Sequence, residues 1–369
     1  MTALAVPESA ARVRRPSPAL VAVVVLAVAS LTLPFVLDAY WLSTADFIVI
    51  AAIGALGLNV LTGFTGQVSL GHAFFLGIGA YTAAFLGDHG VNAAIWIPAA
   101  GVAAGVAGLL VGPTALRLRG LYLAIVTIGL VFIGAHIFVN IPSVTGGPAG
   151  RIVPQPQWGA ADFGGSGLTV FGISFDRNGC YYYLSLLLLV LSMLFVRNLM
   201  RTRAGRAMQA VRDRELAAAL VGVNVARSKL AAFVVSSFLA GVCGSLYGAF
   251  LFHVDPSQWD LLLSIQFVAI IIVGGIGTVW GAVLGSIFII GLPAAMTHYS
   301  DSIPFLQHSS GGGIAVGDAT NLMYGVLIVV FLVAEPRGVI GLVARAAQSL
   351  SQRRRPAAAP VRLAPEREE

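Results

Sequence analysis

Thr62, Thr65, Gln67, Ser69 and His72 sit among five glycines in LTGFTGQVSLGHAFFLGIGAY, residues 61 to 81 of an otherwise strongly apolar chain. Hydroxyl, amide and imidazole groups at this spacing offer hydrogen bonds but no catalytic pair. The chemistry they fit is passage of a polar solute beside a broken helix. Non-helical backbone at membrane depth survives only where protein buries it or where it lines a watery cavity. Residues 62 to 72 therefore read as a helix break beside a pathway, with Gly63, Gly66, Gln67, Ser69, Gly71 and His72 as candidate groups. The plainer alternative is a turn followed by a helix whose Gln67 and His72 are satisfied by neighbouring helices, and spacing alone does not separate the two. His72 taken singly is more often a packed histidine than a ligand or proton carrier. A second break, VGGIGTVWG at 273 to 281, adds Gly275 and Gly277. Two glycine-interrupted segments in different halves of a transporter point to a substrate path, although a tight turn explains this one equally well.

The most informative polar stretch is RTRAGRAMQAVRDRELAAALVGVNVARSKLAAF, residues 201 to 233. Helix formers dominate 204 to 221. Ala204, Met208, Val211 and Ala218 recur near helical spacing, Arg206, Arg212, Asp213 and Arg214 occupy much of the other surface, and Gly222 ends the helix. Such a helix can rest on lipid headgroups. Its mixed charge, with Asp213 and Glu215 among the arginines, favours docking to a protein partner.

Other chemistry is absent. There is no HExxH, no GxSxG and no GxxxxGK[ST] phosphate loop, so the chain by itself is neither a zinc protease, a serine hydrolase of that type nor a P-loop ATPase. Cys180 and Cys243 form no disulfide framework and show no metal-ligand spacing with the six histidines. We expect a non-enzyme that binds no metal or cofactor of its own.

The elements that position these groups follow from composition. The chain is 57% hydrophobic and 10% charged, against roughly a quarter charged residues in soluble domains. The expected fold is all-α and polytopic, with about ten spans near 19–37, 46–61, 67–86, 93–112, 120–140, 180–197, 230–252, 262–275, 280–297 and 320–335. None of these spans holds a charged residue near its centre, which disfavours ion coupling through buried charge. An even number of spans with both termini cytoplasmic places 20 of the 22 basic residues inside and leaves Arg151 and Arg177 outside, along with Asp38, Asp46, Asp88 and other acids. The domain plan is a cytoplasmic segment 1–18, a transmembrane domain 19–335 and a disordered cytoplasmic tail 336–369. An external loop spans 141–179, with a short hairpin near LTVFGISF, and a basic internal loop spans 198–229. Arg12 to Arg15, an apolar run and AVA before Ser30 imitate a signal peptide. The run continues through LTLPFVL, so we expect an uncleaved span. Small residues at four-residue spacing, above all Ser236-Ala240-Gly244-Gly248 and Ser237-Gly241-Ser245-Ala249, predict close helix packing.

Three separate stretches carry a resemblance: LNVLTGFTGQVSLGHAFFLGIGAY at 58–81, RAGRAMQAVRDRELAAALVGVNVARSKLAAFVVSSFLAGVCGSLYGAF at 203–250, and GGIGTVWGAVLGSIF at 274–288. TGGPAG at 145–150 and GCYYYLSLLLLVL at 179–191 agree with them. From about 46 to 343 the chain resembles the LivM-type permease subunits of bacterial ABC importers for branched-chain amino acids. The first fifteen residues and the tail beyond 345 lie outside the likeness.

The resemblance implies a subunit of the bacterial cytoplasmic membrane. It would pair with a second, LivH-like permease, two cytoplasmic ATPase subunits that hold ATP and magnesium, and an external substrate-binding protein. The family's coupling helix falls on 204–222, which puts Gly205, Arg206, Ala207, Arg212, Leu216, Ala217, Ala218 and Gly222 at or near the ATPase contact. Gly63, Gly66, Ser69, Gly71 and His72 match its N-terminal signature. The implied activity is import of branched-chain or other hydrophobic amino acids by alternating access. Urea or a short amide is the alternative cargo, and a stand-alone secondary transporter the alternative class.

Overall fold

A computed structural model describes residues 29–116, 120–158 and 177–299, together with 161–162, 169–170, 173–174 and scattered positions between 322 and 345. Ten helices of six residues or more carry the fold between 39 and 298. They are α1 (Ala39–Leu58), α2 (His72–Asp88), α3 (Ala93–Leu116), α4 (Leu121–Asn140), α5 (Arg177–Arg201), α6 (Arg203–Asp213), α7 (Glu215–Leu220), α8 (Val225–Leu251), α9 (Leu261–Gly274) and α10 (Val279–His298). Seven helical segments among the described residues are long and apolar enough to cross a membrane. The expected spans at 19–37 and 320–335, and both termini, lie wholly or largely outside the described residues.

Three expected spans start five or more residues away, the seventh at Val225 rather than 230. The second begins at Ala39 rather than near 46, because the Asp38 carboxylate caps the helix by accepting from the Trp41 N–H at 3.0 Å. That early start draws Asp46, expected outside, into α1, where it is fully buried. The third begins at His72 rather than 67, since residues 66–71 leave the helix altogether. At ~1.5 Å per residue the 17 residues of α2 reach about 25 Å, short of the ~30 Å hydrocarbon core.

The core is organised around α8, which packs against α1, α2 and α3. Both small-residue rows of α8 are buried. Lipid supplies no hydrophobic drive between helices, so contact of this kind depends on backbones coming close. A methyl group on Gly244 would run into the carbonyl of Leu76, and one on Gly241 into the carbonyl of Ala100. Helix α1, apolar all round, is enclosed by α5, α8, α9 and α10. Helices α9 and α10 form a hairpin around residues 275–278.

The expected hairpin near LTVFGISF is present, with Thr169 paired to Ser174 and Val170 to Ile173. A second two-residue ladder joins the loop to the chain after α8, Arg151 facing Val254 and Ile152 facing His253. Arg151 fixes this arrangement. Its Nε donates to Asp88 Oδ2 at 2.6 Å and its Nη1 to the carbonyls of Ser143 and Val144 at 3.2 and 2.8 Å. Exposed ion pairs of this type contribute only ~0–1 kcal/mol. We expect Arg151→Ala to leave thermal stability nearly unchanged while raising protease cleavage within 141–158 several-fold, as limited proteolysis in detergent would record.

The expected single helix over 204–221 is two helices. Arg214, in extended conformation, separates α6 from α7. Of the expected stripe, Met208, Val211 and Ala218 are buried, whereas Ala204 is exposed and Gly205 is buried in its place. Gly205 takes the inward place because a side chain there would strike the carbonyl of Leu199 at the end of α5. Beyond Pro336, where disorder is expected, residues 338–342 are helical. A methyl group on Gly338 would lie 2.6 Å from the Gly275 nitrogen, so this segment rests on the α9–α10 turn.

Candidate functional site

The first break starts before α1 has run out. At Asn59 the helix widens into a single π turn, Asn59–Gly63, a feature frequent at functional sites. Asn59 is fully buried and uses both ends of its amide. Nδ2 donates to the Thr278 carbonyl at 2.7 Å, and Oδ1 accepts from the Gly277 N–H at 2.8 Å. The two glycine-interrupted segments are thus stitched together by one side chain. Gly277 has φ +77°, a conformation that glycine alone adopts without cost. Thr278 closes the turn, donating to the Gly275 carbonyl at 2.8 Å and accepting from the Gly281 N–H at 3.1 Å to cap α10.

The segment 203–220 is the third partner. Arg212 at the end of α6 donates from Nη1 to the Gly63 carbonyl at 2.6 Å. The same guanidinium lies across Gly277, where a methyl group would come within 2.5 Å of Nη1. One arginine therefore touches both breaks. Gly66, at φ +74°, turns the chain so that its backbone faces Arg212. Beyond the interruption at Arg214, Glu215 Oε2 pairs with Lys229 Nζ at 2.9 Å. The Lys229 backbone carbonyl in turn accepts from Gln67 Nε2 at 3.2 Å. A cleft of about 190 Å³ remains between Thr65–Gln67 and Val211–Glu215, bounded also by Lys229.

Of the path candidates, Gly63, Gly66, Gln67, Gly275 and Gly277 come together at this junction. Ser69, Gly71 and His72 do not reach it, lying deeper among the helices. There Ser69 Oγ accepts from the Gly71 N–H at 3.3 Å, and the Leu70 and Ala73 N–H groups donate to Thr127 Oγ1 and Ser264 Oγ at 2.9 and 3.0 Å. His72 Nε2 stands 3.0 Å from the Gly54 carbonyl. A carbonyl only accepts, so Nε2 carries the hydrogen. Protein groups thus accept from the N–H groups of residues 66, 67, 70, 71 and 73.

The coupling candidates divide by direction. Gly205 and Ala218 are buried and Ala207 and Glu215 half-buried, while Arg206, Arg212, Asp213, Leu216, Ala217 and Gly222 are exposed, although the Arg212 guanidinium and the Glu215 carboxylate reach inward to Gly63 and Lys229. Gly222, at φ +86°, closes α7 with its N–H on the Ala219 carbonyl. The end of α7 carries an apolar edge, with Leu216 72%, Val221 79% and Leu220 89% exposed.

Asn59, Thr278, Lys229, Thr127 and Ser264 were not among the expected site residues. Only Asn59 carried a usable signal, as a lone amide at the end of an apolar run directly before the first glycine break. Lys229 was read only as one positive charge among many. Its pairing with Glu215 and its backbone contact with Gln67 depend on the fold.

Residues 40–333 match the family described as the permease component of the branched-chain amino acid transport system. The chain is 33% identical over 335 residues to the high-affinity branched-chain amino acid transport system permease protein LivM of Escherichia coli strain K12, covering 87% of this chain and 74% of that protein. The LivM protein of Salmonella typhimurium strain LT2 is 32% identical over the same shares. The corresponding LivH permease of Salmonella typhimurium is 26% identical over 276 residues, 69% of this chain and 85% of LivH. No solved structure matches the chain. With its long apolar helices, the chain is a multi-pass inner-membrane protein and belongs to the family of permease components of branched-chain amino acid transport systems.

Proposed function

We propose that the chain is one transmembrane half of an ATP-driven importer for branched-chain or other hydrophobic amino acids. A second permease supplies the other half, two cytoplasmic ATPase subunits supply the energy, and an external binding protein delivers the solute. The chain itself is non-catalytic, and ATP and magnesium stay on the ATPases. The observation that carries this reading is the two-sidedness of α6–α7. On its outer side the segment presents Leu216, Leu220 and Val221 to solvent, and on its inner side Arg212 holds Gly63. An apolar edge rimmed by polar groups marks a protein contact. A partner that moved this edge would therefore move the junction of both helix breaks.

Mechanically, ATP-driven closure of the partner ATPases shifts α6–α7 and pulls Arg212 against Gly63 and Gly277. The glycine breaks then rearrange between outward-facing and inward-facing states. A ligand or nucleotide moves such an equilibrium only as far as it favours one state over the other. The amino acid class rests on family membership and on the kinship with LivM proteins.

The test is ATP hydrolysis by the assembled transporter in lipid discs, with binding protein loaded with leucine or with urea. Stimulation by the leucine-loaded form alone is the expected result. Stimulation by the urea-loaded form alone would move the cargo to short amides. Failure of any ATPase to copurify would replace the importer reading with a stand-alone transporter. Changing Leu216 and Leu220 together to Asp should strip the ATPases from the purified complex while leaving the chain in the membrane.

A further inference from the structure

We propose that Lys229, held by Glu215, is a positioning residue through which the coupling segment grips the first helix break at a second point. The role deepens the importer reading above and rests on it. A lysine at the end of a membrane-spanning helix ordinarily extends its amine to water. Lys229, in the second turn of α8, does not. Its side chain is 7% exposed, and its Nζ lies 2.9 Å from Glu215 Oε2. Burying an ammonium group in this way is costly without a partner, and replacing such a pair by apolar side chains is often neutral or stabilising. Stability alone therefore gives little reason for the pair.

Its place in the fold gives a better one. Gln67 Nε2 donates to the Lys229 backbone carbonyl at 3.2 Å, so the residue anchored by Glu215 holds the far side of the break. Arg212 holds the near side through the Gly63 carbonyl. Between these points residues 61 to 67 form one closed loop. The Gln67 N–H donates to the Leu61 carbonyl at 3.1 Å, the Gly66 N–H to the Thr62 carbonyl at 3.1 Å, and the Thr62 hydroxyl to the Gln67 carbonyl at 3.0 Å. A closed loop held at one point pivots about it. Held at two, it follows the segment that grips it in orientation as well as in position. The two grips come from different helices, Arg212 from α6 and Glu215 from α7, with the extended Arg214 between them. A change of angle at Arg214 thus turns the loop, where a single grip would only pull it.

The test compares solute imported per ATP hydrolysed in proteoliposomes of the assembled transporter. Glu215→Gln combined with Lys229→Met removes the ion pair and leaves neither charge behind. This double variant should melt close to the parent while its ratio of import to hydrolysis falls about tenfold, the scale of one charge-assisted hydrogen bond. A purely structural pair would let melting temperature and ratio move together. Exchanging the charges, Glu215→Lys with Lys229→Glu, should restore most of the ratio. Gln67→Leu should lower it to a similar degree, and should lower it no further in the double variant, because both changes release the same grip. Leucine there also removes Oε1, a buried acceptor with no hydrogen-bond partner among the described residues, so this variant should fold. A double variant with the parent's ratio, or exchanged charges that leave the ratio as low as in the double variant, would overturn the proposal. Gln67→Leu at the parent's ratio would do so too, even if the double variant failed to fold. A parent chain that copurifies with no ATPase would instead sink the importer reading, and this inference with it.

Discussion

Replacing Arg212 with Gln is expected to lower solute uptake at least ~10-fold while the chain still inserts and the ATPases still copurify. The hydrogen bond from its Nη1 to the Gly63 carbonyl is 2.6 Å long and is charge-assisted. Such bonds contribute roughly 1.5–3 kcal/mol, a factor of about ten or more in an equilibrium constant. That equilibrium is the one between a coupling segment latched to the breaks and one that moves without them. With the latch gone, movement of α6–α7 reaches Gly63 and Gly277 only weakly, so hydrolysis and uptake should separate. Arg212→Lys should recover only part of the uptake, since an ammonium cannot reproduce the planar fork lying over Gly277. Uptake and ATP hydrolysis measured on the same proteoliposomes check both variants. If the Gln variant instead loses its ATPases, Arg212 belongs to the docking face, as its place in the sequence motif led us to expect.

Hydropathy and charge made the helices readable, because a bilayer imposes length and composition on each span. The internal interruptions were readable in part. The first break was visible in its glycines, but its exact extent depends on Thr127 and Ser264 receiving the backbone of residues 70 and 73. Those partners lie 57 and 191 residues away. Asn59 illustrates the same limit more sharply, since its partner Thr278 is 219 residues distant and nothing local reports that both breaks occupy one place. The helix over 204–221 was expected to be continuous because every residue in it except Gly205 favours or tolerates helix. Arg214 breaks it in the fold, where Glu215 pairs with Lys229 at the base of α8. Tertiary pairing thus overrides local propensity. Asp46 was assigned to the outside from its charge, yet the Asp38 cap carries the helix past it.

Gly244→Val is expected to prevent accumulation of a folded permease. A methyl at this position meets the Leu76 carbonyl carbon at 2.6 Å on ideal backbone geometry with no adjustment, and its closest contact is that carbonyl oxygen itself. The obstacle is the backbone of α2, which cannot rotate aside as a side chain can. Overpacking a core commonly costs ~1–3 kcal/mol. Here relief requires moving α2 away from α8, which also breaks the approach of Gly79 to the Gly241 backbone one turn along. The displaced α2 carries His72 and Ala73, so its bonds to Gly54 and Ser264 go as well. We therefore expect a loss of about 3 kcal/mol or more, at the upper end of that range. In practice this means little monodisperse protein on size exclusion and a melting temperature many degrees lower in whatever is recovered. Gly105→Ala provides the contrast, because a methyl there would meet its nearest neighbour, Phe238 Cβ, at 3.6 Å, ordinary contact distance. That variant should purify and melt like the parent. A Gly244→Val protein with the parent's yield and melting temperature would show that α2 and α8 are not held backbone to backbone.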